Sequence, residues 1–166
     1  VKFSILSPDG DQGLPGNFDI SVTYAVTEDN GLKIIYEGVS DKDTFVSMTN
    51  HSYFNLNGEN SDSILEHEMT VRADAYTRVN EEMIATGEIL DVTGTAMDFR
   101  TAKPIGRDIN NEEEPLKIGG GYDHNYCFAN DGKLKKVAKL YSPVTGIFME
   151  VFSDLCGMQV YSGNFL

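Results

Sequence analysis

The clearest sign of the fold class in this 166-residue chain is the stretch FDISVTYAVTEDNGLKIIY, residues 18–36. Apolar and polar residues alternate from Phe18 to Val26 and again from Leu32 to Tyr36, which is the period of a half-buried β-strand. The triplet Asp29-Asn30-Gly31 lies between the two runs, and Asn-Gly favours the positive φ angles of a tight turn. The stretch therefore predicts a β-hairpin.

Strand-like patterns continue along the rest of the chain. They occur at Val1–Ile5, Thr44–Thr49, Glu68–Ala73, Gly87–Val92, Lys135–Tyr141, Ile147–Ser153 and Gln159–Tyr161. Only Thr101–Glu114 offers a short helical or irregular excursion, and the polar run from Asn110 to Pro115 is typical of a solvated loop. Many short strands without a repeat or a low-complexity linker predict a single all-β domain over residues 1–166, an antiparallel β-sandwich.

Composition excludes several classes of partner. The formal net charge of -13 disfavours nucleic acid and anionic membranes, since both need clustered Lys and Arg. No apolar run approaches the roughly 18 residues of a membrane span. Cys127 and Cys156 have no CxxC spacing, which favours free thiols in a reducing compartment and predicts a cytoplasmic protein.

Both ends of the chain look like strands that have been cut. Val1, Phe3 and Ile5 alternate from the first residue, and a strand-like run at Gln159–Tyr161 is followed by only five residues. Unpaired strands at a terminus leave ladder edges that intact domains usually cover. We therefore expect the chain to be an internal piece of a larger β-sandwich, truncated at both ends.

The first candidate functional segment is Asn50-His51-Ser52-Tyr53-Phe54-Asn55-Leu56. It places one imidazole among amide, hydroxyl and aromatic side chains. Because histidine titrates near neutral pH, His51 in this setting is suited to serve as a general acid. The alternative is a hydrogen-bonded structural histidine beside a strand.

Two later stretches carry further polar groups. In Gly119-Gly120-Gly121-Tyr122-Asp123-His124-Asn125-Tyr126, a carboxylate and an imidazole follow three glycines, which permit a tight turn or a close approach to a ligand. In Gln159–Leu166, Gln159 and Tyr161 lie two residues apart, hence on one face of a strand. The plainer reading of the first stretch is a loop with a turn-capping Asp.

Taken in order, these stretches resemble the aldose 1-epimerases, or galactose mutarotases. The likeness runs over nearly the whole chain and also includes Ser7–Gly10, Pro15-Gly16, Thr23-Tyr24, Thr86–Ile89, Gly94-Thr95 and Asp98–Arg100. The resemblance implies a large antiparallel β-sandwich of the galactose mutarotase kind, of which this chain would be an incomplete part.

The resemblance also implies interconversion of the α and β anomers of a free aldohexose such as galactose or glucose. His51 matches the acid that protonates the ring oxygen. Asp123, Gln159 and the Ser52-Tyr53 pair match sugar contacts, and Asn50 and His124 match supporting positions. No cofactor and no metal ion are implied, the partner is a small-molecule sugar, and the oligomeric state is left open.

The chain departs from the family pattern in one important respect. The glutamate base and the Asn-Arg and His-Gly stretches of the family have no counterpart in these 166 residues, and neither Glu88 nor Glu150 occupies the motif of the base. We therefore expect this segment alone to have little or no activity.

Three alternatives stay open. A non-catalytic carbohydrate-binding module on the same fold would keep Asp123 and Gln159 without an acid. A hexose-phosphate mutarotase would need Arg or Lys for the phosphate, and the matched motifs carry none. A metal or Ser-His-Asp hydrolase is disfavoured, because His51, His67 and His124 lack ligand spacing and no GxSxG surrounds a serine.

Overall fold

A computed structural model describes residues 1–59, 61, 63–129 and 131–166 of the chain. The chain forms two compact units, residues 1–53 and residues 54–166. Both are almost entirely β, which confirms the all-β, antiparallel prediction. That residues 1–166 form one domain, and that this domain is part of a larger sandwich, stay predictions.

The unit of residues 1–53 is a three-stranded antiparallel sheet. Its strands are β1 (Lys2–Ser7), β2 (Phe18–Val26) and β3 (Leu32–Ser40), in the order β1-β2-β3. The predicted hairpin is confirmed, with Val26 opposite Leu32. Asn30 takes the positive φ of 64°, whereas a side chain at Gly31 would collide with the hydroxyl of Thr27. The turn therefore needs a residue that tolerates positive φ at position 30 and a residue without a side chain at position 31.

The strand predicted over Thr44–Thr49 is wrong. These residues form no strand, and Phe45 is 85% exposed. Its β-branched and aromatic composition suits a strand locally, but a strand is stable only when its backbone groups pair with a neighbour. In the part of residues 1–53 that the structure describes, none of the three strands pairs with this segment.

The unit of residues 54–166 contains two four-stranded antiparallel sheets. The first has the order β10-β9-β4-β7 and consists of β4 (Glu68–Val71), β7 (Lys103–Pro104), β9 (Lys135–Tyr141) and β10 (Phe148–Ser153). The second has the order β11-β8-β5-β6 and consists of β5 (Ala75–Val79), β6 (Ala85–Asp91), β8 (Asp123–Cys127) and β11 (Gly157–Tyr161).

The helical excursion expected over Thr101–Glu114 differs from the structure. That range contains β7 and a single 3-10 turn at Ile105–Arg107, and the α-helix α1 (Glu114–Gly119) begins where the range ends. Pro115 fits the first turn, where its missing N–H is not needed, and Gly120 ends the helix at φ 63°. Of the helices in the described ranges, none has the length and hydrophobicity of a membrane span.

One buried cluster lies within residues 54–166, and both sheets contribute to it, as in a β-sandwich. It combines strand residues with aromatic side chains from the connections, and Phe99 and Tyr122 meet edge to face with ring centroids 5.0 Å apart. The cluster comprises Met69, Val71, Ala73, Tyr76, Val92, Ala96, Met97, Phe99, Ile105, Leu116, Tyr122, Tyr126 and Ala138.

Candidate functional site

Strand alternation on β8 separates a core face from an open face. His124 and Tyr126 are buried, whereas Asp123, Asn125 and Cys127 are only half-buried. This stretch is a strand and not the plain loop that was the alternative. The alternation places the carboxylate on the open face of the sheet and the imidazole beneath it.

The neighbouring strand β11 brings the predicted amide to the carboxylate. Gln159 lies opposite Asn125 in the antiparallel register, and its Nε2 donates to Oδ1 of Asp123 at 2.7 Å. One hydrogen bond leaves an ionised carboxylate with further acceptor capacity. The pair can therefore accept hydroxyl hydrogens from a ligand while staying fixed in orientation.

These two residues line a cleft of about 200 Å³. In the sheet order β11-β8-β5-β6, the polar lining residues lie mainly on β11 and β8 and the apolar ones on β5, β6 and their connection. One side of the cleft is thus more polar than the other, which suits a small ligand that has hydroxyl groups and a hydrocarbon face. The polar lining comes from Thr77, Asp123, Asn125 and Gln159, and the apolar lining from Val79, Met83 and Ala85.

Asn125 is held in place from two sides. Its Nδ2 donates to the hydroxyl of Thr77 at 2.9 Å and lies 3.7 Å from the sulfur of Cys127. On β11, a side chain at Gly157 would occupy the space of the Asn125 amide. The polar side of the cleft is therefore a preformed row across three strands.

His124 supports Asp123 from beneath. The backbone N–H of Asp123 donates to Nδ1 of His124 at 3.1 Å, and the imidazole meets Tyr76 edge to face at 5.8 Å. Burial lowers the pKa of His124, and the Asp123 carboxylate and Pro115 carbonyl oppose this shift only partly. A neutral imidazole is what this hydrogen bond requires, because the protonated ring cannot accept.

The glycine stretch before Asp123 is clamped by the end of the chain. Asn164 Nδ2 donates to the carbonyl oxygens of Gly119 and Tyr122 at 2.7 and 3.2 Å. The hydroxyl of Ser162 accepts from the N–H of Tyr122 at 3.0 Å. A Cβ at Gly121 would lie 2.4 Å from Oδ1 of Asn164, and its φ of 139° favours glycine. The glycines therefore make a tight connection that positions the start of β8.

His51 and its neighbours Asn50, Ser52 and Tyr53 lie in the unit of residues 1–53 and are exposed. Asn50 Oδ1 accepts from the N–H of Ser52 at 3.1 Å, and Asn50 Nδ2 reaches the hydroxyl of Tyr24 at 3.5 Å. The His51 and Tyr53 rings meet edge to face with centroids 5.3 Å apart. Local contacts thus group four of the predicted residues, Asn50, His51, Ser52 and Tyr53, while Asp123, His124 and Gln159 form a second group in the other unit.

A more polar cleft of about 640 Å³ lies elsewhere in residues 54–166. Its most buried charge is Lys103, which is 4% exposed and donates to Asp108 at 2.7 Å and to the carbonyl of Ala96 at 2.6 Å. The ammonium also lies over the ring of Phe99. A carboxylate, a carbonyl oxygen and an aromatic ring thus surround the ammonium group, as expected of a structural ion pair.

Within the described ranges, no group of three or more His, Cys, Asp or Glu side chains is arranged to hold a metal ion. The two cysteines are free thiols.

Sequence reasoning missed several residues of the cleft. Thr77, Val79, Met83 and Ala85 lie on or between β5 and β6, and the predicted strands did not include β5. The run Tyr76-Thr77-Arg78-Val79 has the β-branched and aromatic residues that favour a strand. Its place next to Asp123 comes from sheet order, which a local pattern does not contain.

Comparison with known proteins gives a consistent result. The family model described as aldose 1-epimerase matches residues 1–166. The chain is 44% identical to an aldose 1-epimerase of Haemophilus influenzae and 40% identical to a galactose mutarotase of Homo sapiens, in each case over 100% of this chain and over 48% and 47% of the relative. The chain thus spans about half the length of these relatives.

Two solved structures resemble the fold. An aldose epimerase homologue from C. elegans matches all of this chain and 49% of its own with a TM-score of 0.87 at 30% sequence identity. A galactose 1-epimerase from Lactobacillus acidophilus matches 85% of this chain and 40% of its own with a TM-score of 0.76 at 32% identity.

Proposed function

The chain belongs to the aldose 1-epimerase family, and from that premise we propose that the protein containing it is an isomerase that interconverts the α and β anomers of a free aldohexose such as galactose or glucose. The observation that carries the proposal is the hydrogen-bonded pair of Asp123 and Gln159 in a cleft with one polar and one apolar side. A pyranose offers hydroxyls to the first side and C–H groups to the second.

Asp123 and Gln159 act as sugar-binding residues. The carboxylate accepts hydrogen bonds from sugar hydroxyls, and such charge-assisted bonds are stronger than neutral ones. Gln159 keeps the carboxylate oriented through its 2.7 Å bond and presents its own amide oxygen to the sugar. His124 is a positioning residue, because it accepts the N–H of Asp123 from the core side.

His51 is the general acid. A carboxylate base supplied by another part of the protein removes the proton of the C1 hydroxyl while the imidazolium of His51 gives its proton to the ring oxygen. The C1–ring oxygen bond breaks and an aldehyde forms. Rotation about the C1–C2 bond and closure in the reverse sense yield the other anomer and restore both proton carriers.

The neighbours of His51 support this role. Asn50 accepts the N–H of Ser52 and so constrains the backbone beside the imidazole. Ser52 and Tyr53 are further sugar contacts, and the half-exposed ring of Tyr53 offers an apolar surface. The proposed setting is the cytoplasm, which the free thiols of Cys127 and Cys156 support.

The test is polarimetry on the full-length protein with freshly dissolved α-galactose. We expect His51→Ala to lower kcat by about 100- to 10,000-fold, the range of a general acid. Asp123→Ala should chiefly raise KM, since it removes a binding contact. Phe45→Ala, at a side chain that is 85% exposed, is the control and should leave both constants unchanged.

The binding-module alternative makes the opposite prediction. It holds if His51→Ala leaves anomer exchange unchanged while galactose still binds. The 166-residue chain alone is a separate sample, for which we expect the spontaneous rate of exchange. An enzymatic rate from that chain would mean that its own residues supply the base.

A further inference from the structure

The connection between β5 and β6 carries a backbone conformation that an ordinary side chain rarely adopts. Met83 has φ 61°, in the left-handed region where residues other than glycine, Asn and Asp are uncommon. Such a conformation persists only where the surroundings impose it, and it is a reason to look for a function. Met83 also lines the cleft that contains Asp123 and Gln159.

Asn80 imposes the conformation. Its backbone N–H donates to the carbonyl of Ile84 at 2.9 Å, and its carbonyl accepts the N–H of Met83 at 2.9 Å. Its side-chain Oδ1 accepts the N–H groups of Glu82 and Ile84, both at 3.0 Å. Four hydrogen bonds centred on one asparagine thus hold the turn closed with Met83 near its tip.

The residues of this turn differ in how far they are exposed to solvent. Glu81, Glu82 and Ile84 are exposed, whereas Met83 is half-buried. Its terminal methyl lies 3.9 Å from the position that a Cβ on Gly119 would take, and that position is 3.6 Å from Cβ of Asp123. The end of the Met83 side chain therefore lies close to Gly119 and to the Asp123 side of the cleft.

We propose that Met83 is a further sugar-binding residue, the wall against which the C–H face of the pyranose lies while its hydroxyls bind Asp123 and Gln159. This inference rests on the proposed function. Methionine suits the task because its unbranched, polarizable side chain adapts to irregular apolar surfaces. Val79 and Ala85 continue the wall along the two strands.

The test measures KM and kcat of the full-length protein for galactose and glucose by polarimetry. Met83→Asn keeps a residue that tolerates left-handed backbone but removes the apolar wall. We expect KM to rise about 10-fold, the low end for loss of an apolar contact in a binding pocket, with kcat within about two-fold of the unaltered protein. We expect Met83→Leu to recover most of the affinity that Met83→Asn loses.

Two further variants keep the result interpretable. Met83→Gly removes the wall and relieves the backbone, so it should raise KM in the same way while its melting temperature does not fall. Ile84→Asn, at the exposed neighbour, should leave KM unchanged. A KM that stays constant in both Met83→Asn and Met83→Gly would overturn the proposal and leave Met83 as a turn residue only.

Calorimetric titration with galactose separates this inference from the proposed function. If the unaltered protein binds galactose without exchanging its anomers, the proposed function fails, and a Kd that rises about 10-fold in Met83→Asn still supports the wall. If exchange proceeds and Met83 variants bind as the unaltered protein does, only the wall fails. A protein that binds no aldohexose overturns both.

Discussion

The two compact units differ in what supports their sheets. Residues 54–166 enclose a buried aromatic and aliphatic cluster, with Phe99, Tyr122 and Tyr126 almost completely inaccessible to solvent. Among the described residues of 1–53, only Gly16 and Ser21 are buried, and neither is a large apolar side chain. Packing therefore holds one unit together, whereas backbone pairing and local contacts hold the other.

This difference separates the two groups of proposed functional residues. Asp123 and Gln159 lie on strands directly above the packed cluster and are fixed by hydrogen bonds to each other and to His124. His51 lies in an exposed segment outside any strand. We infer that the contribution of Asp123 and Gln159 to the proposed sugar binding depends on how residues 54–166 fold, and that it responds to mutations in their core.

The largest expected effect tests the packing itself. Phe99→Ala empties a site that is 1% exposed, so we expect a loss of about 3–5 kcal/mol in the free energy of unfolding. Phe3→Ala, at a ring that is 59% exposed, should cost less than about 1 kcal/mol. Urea unfolding of the 166-residue chain measures both, and equal losses would contradict the contrast between the units.

The next effect tests the glycine connection before Asp123. Gly121→Ala places a methyl group against Asn164 at a φ that favours glycine, and we expect a loss of about 2–4 kcal/mol and a raised KM. Gly146→Ala is the control, since Gly146 has a positive φ of 73° but open space around it. If Gly121→Ala and Gly146→Ala lower the free energy of unfolding equally, the Asn164 side chain can move aside with little loss of stability.

A third effect concerns the buried histidines His67 and His124. Burial lowers the pKa of His67 and of His124, and each accepts a backbone N–H through a neutral nitrogen, from Leu56 and Asp123 respectively. Below the unfolded pKa of about 6.5, the unfolded chain binds protons that the native state resists. Stability should therefore fall as the pH is lowered from about 6.5 toward the folded pKa, by at most about 1.4 kcal/mol per pH unit for each histidine.

Urea unfolding between about pH 7.5 and pH 5 measures this slope, within the range where histidine titrates. His67→Gln and His124→Gln should each reduce it. An unchanged slope in both buried variants would mean that other groups carry the acid sensitivity.

The smallest effect concerns an ion pair on the sheet of residues 1–53. Lys2 Nζ lies 3.1 Å from the carboxylate of Glu37, and both side chains are mostly exposed. We expect Lys2→Ala to change the free energy of unfolding by about 0–1 kcal/mol, and the change should shrink in high salt. A larger, salt-independent loss would contradict this expectation and indicate that the Lys2 side chain stabilises the sheet by packing.

The parts of the fold that sequence predicted share a strong local pattern. The hairpin of β2 and β3 combines two alternating runs with a turn signal, and β9 coincides with the predicted Lys135–Tyr141. Strand β5 was missed because it is short and two of its five residues, Thr77 and Arg78, are polar. Thr44–Thr49 was predicted wrongly because strand composition is local whereas strand pairing is not.

The candidate site also combines residues that the sequence could predict with residues that it could not. Asp123 and Gln159 could be proposed because each lies within a recognisable motif. Thr77 and Met83 could not, because they reach the cleft only through the sheet order β11-β8-β5-β6 and through a strained turn. Single-sequence patterns report what a segment prefers, and they do not report which segments the sheet brings together.

The alternation along β8 has a practical consequence for engineering. Because Asn125 and Thr77 face the cleft while Tyr126 and Tyr76 face the core, a mutant library confined to positions 77, 83 and 125 can alter the ligand contacts without touching the packed interior. A one-residue insertion in the same strand would exchange the two faces and bury the carboxylate. Changes of ligand preference should therefore accumulate through substitution at alternate positions, and length changes should be confined to the connecting turns.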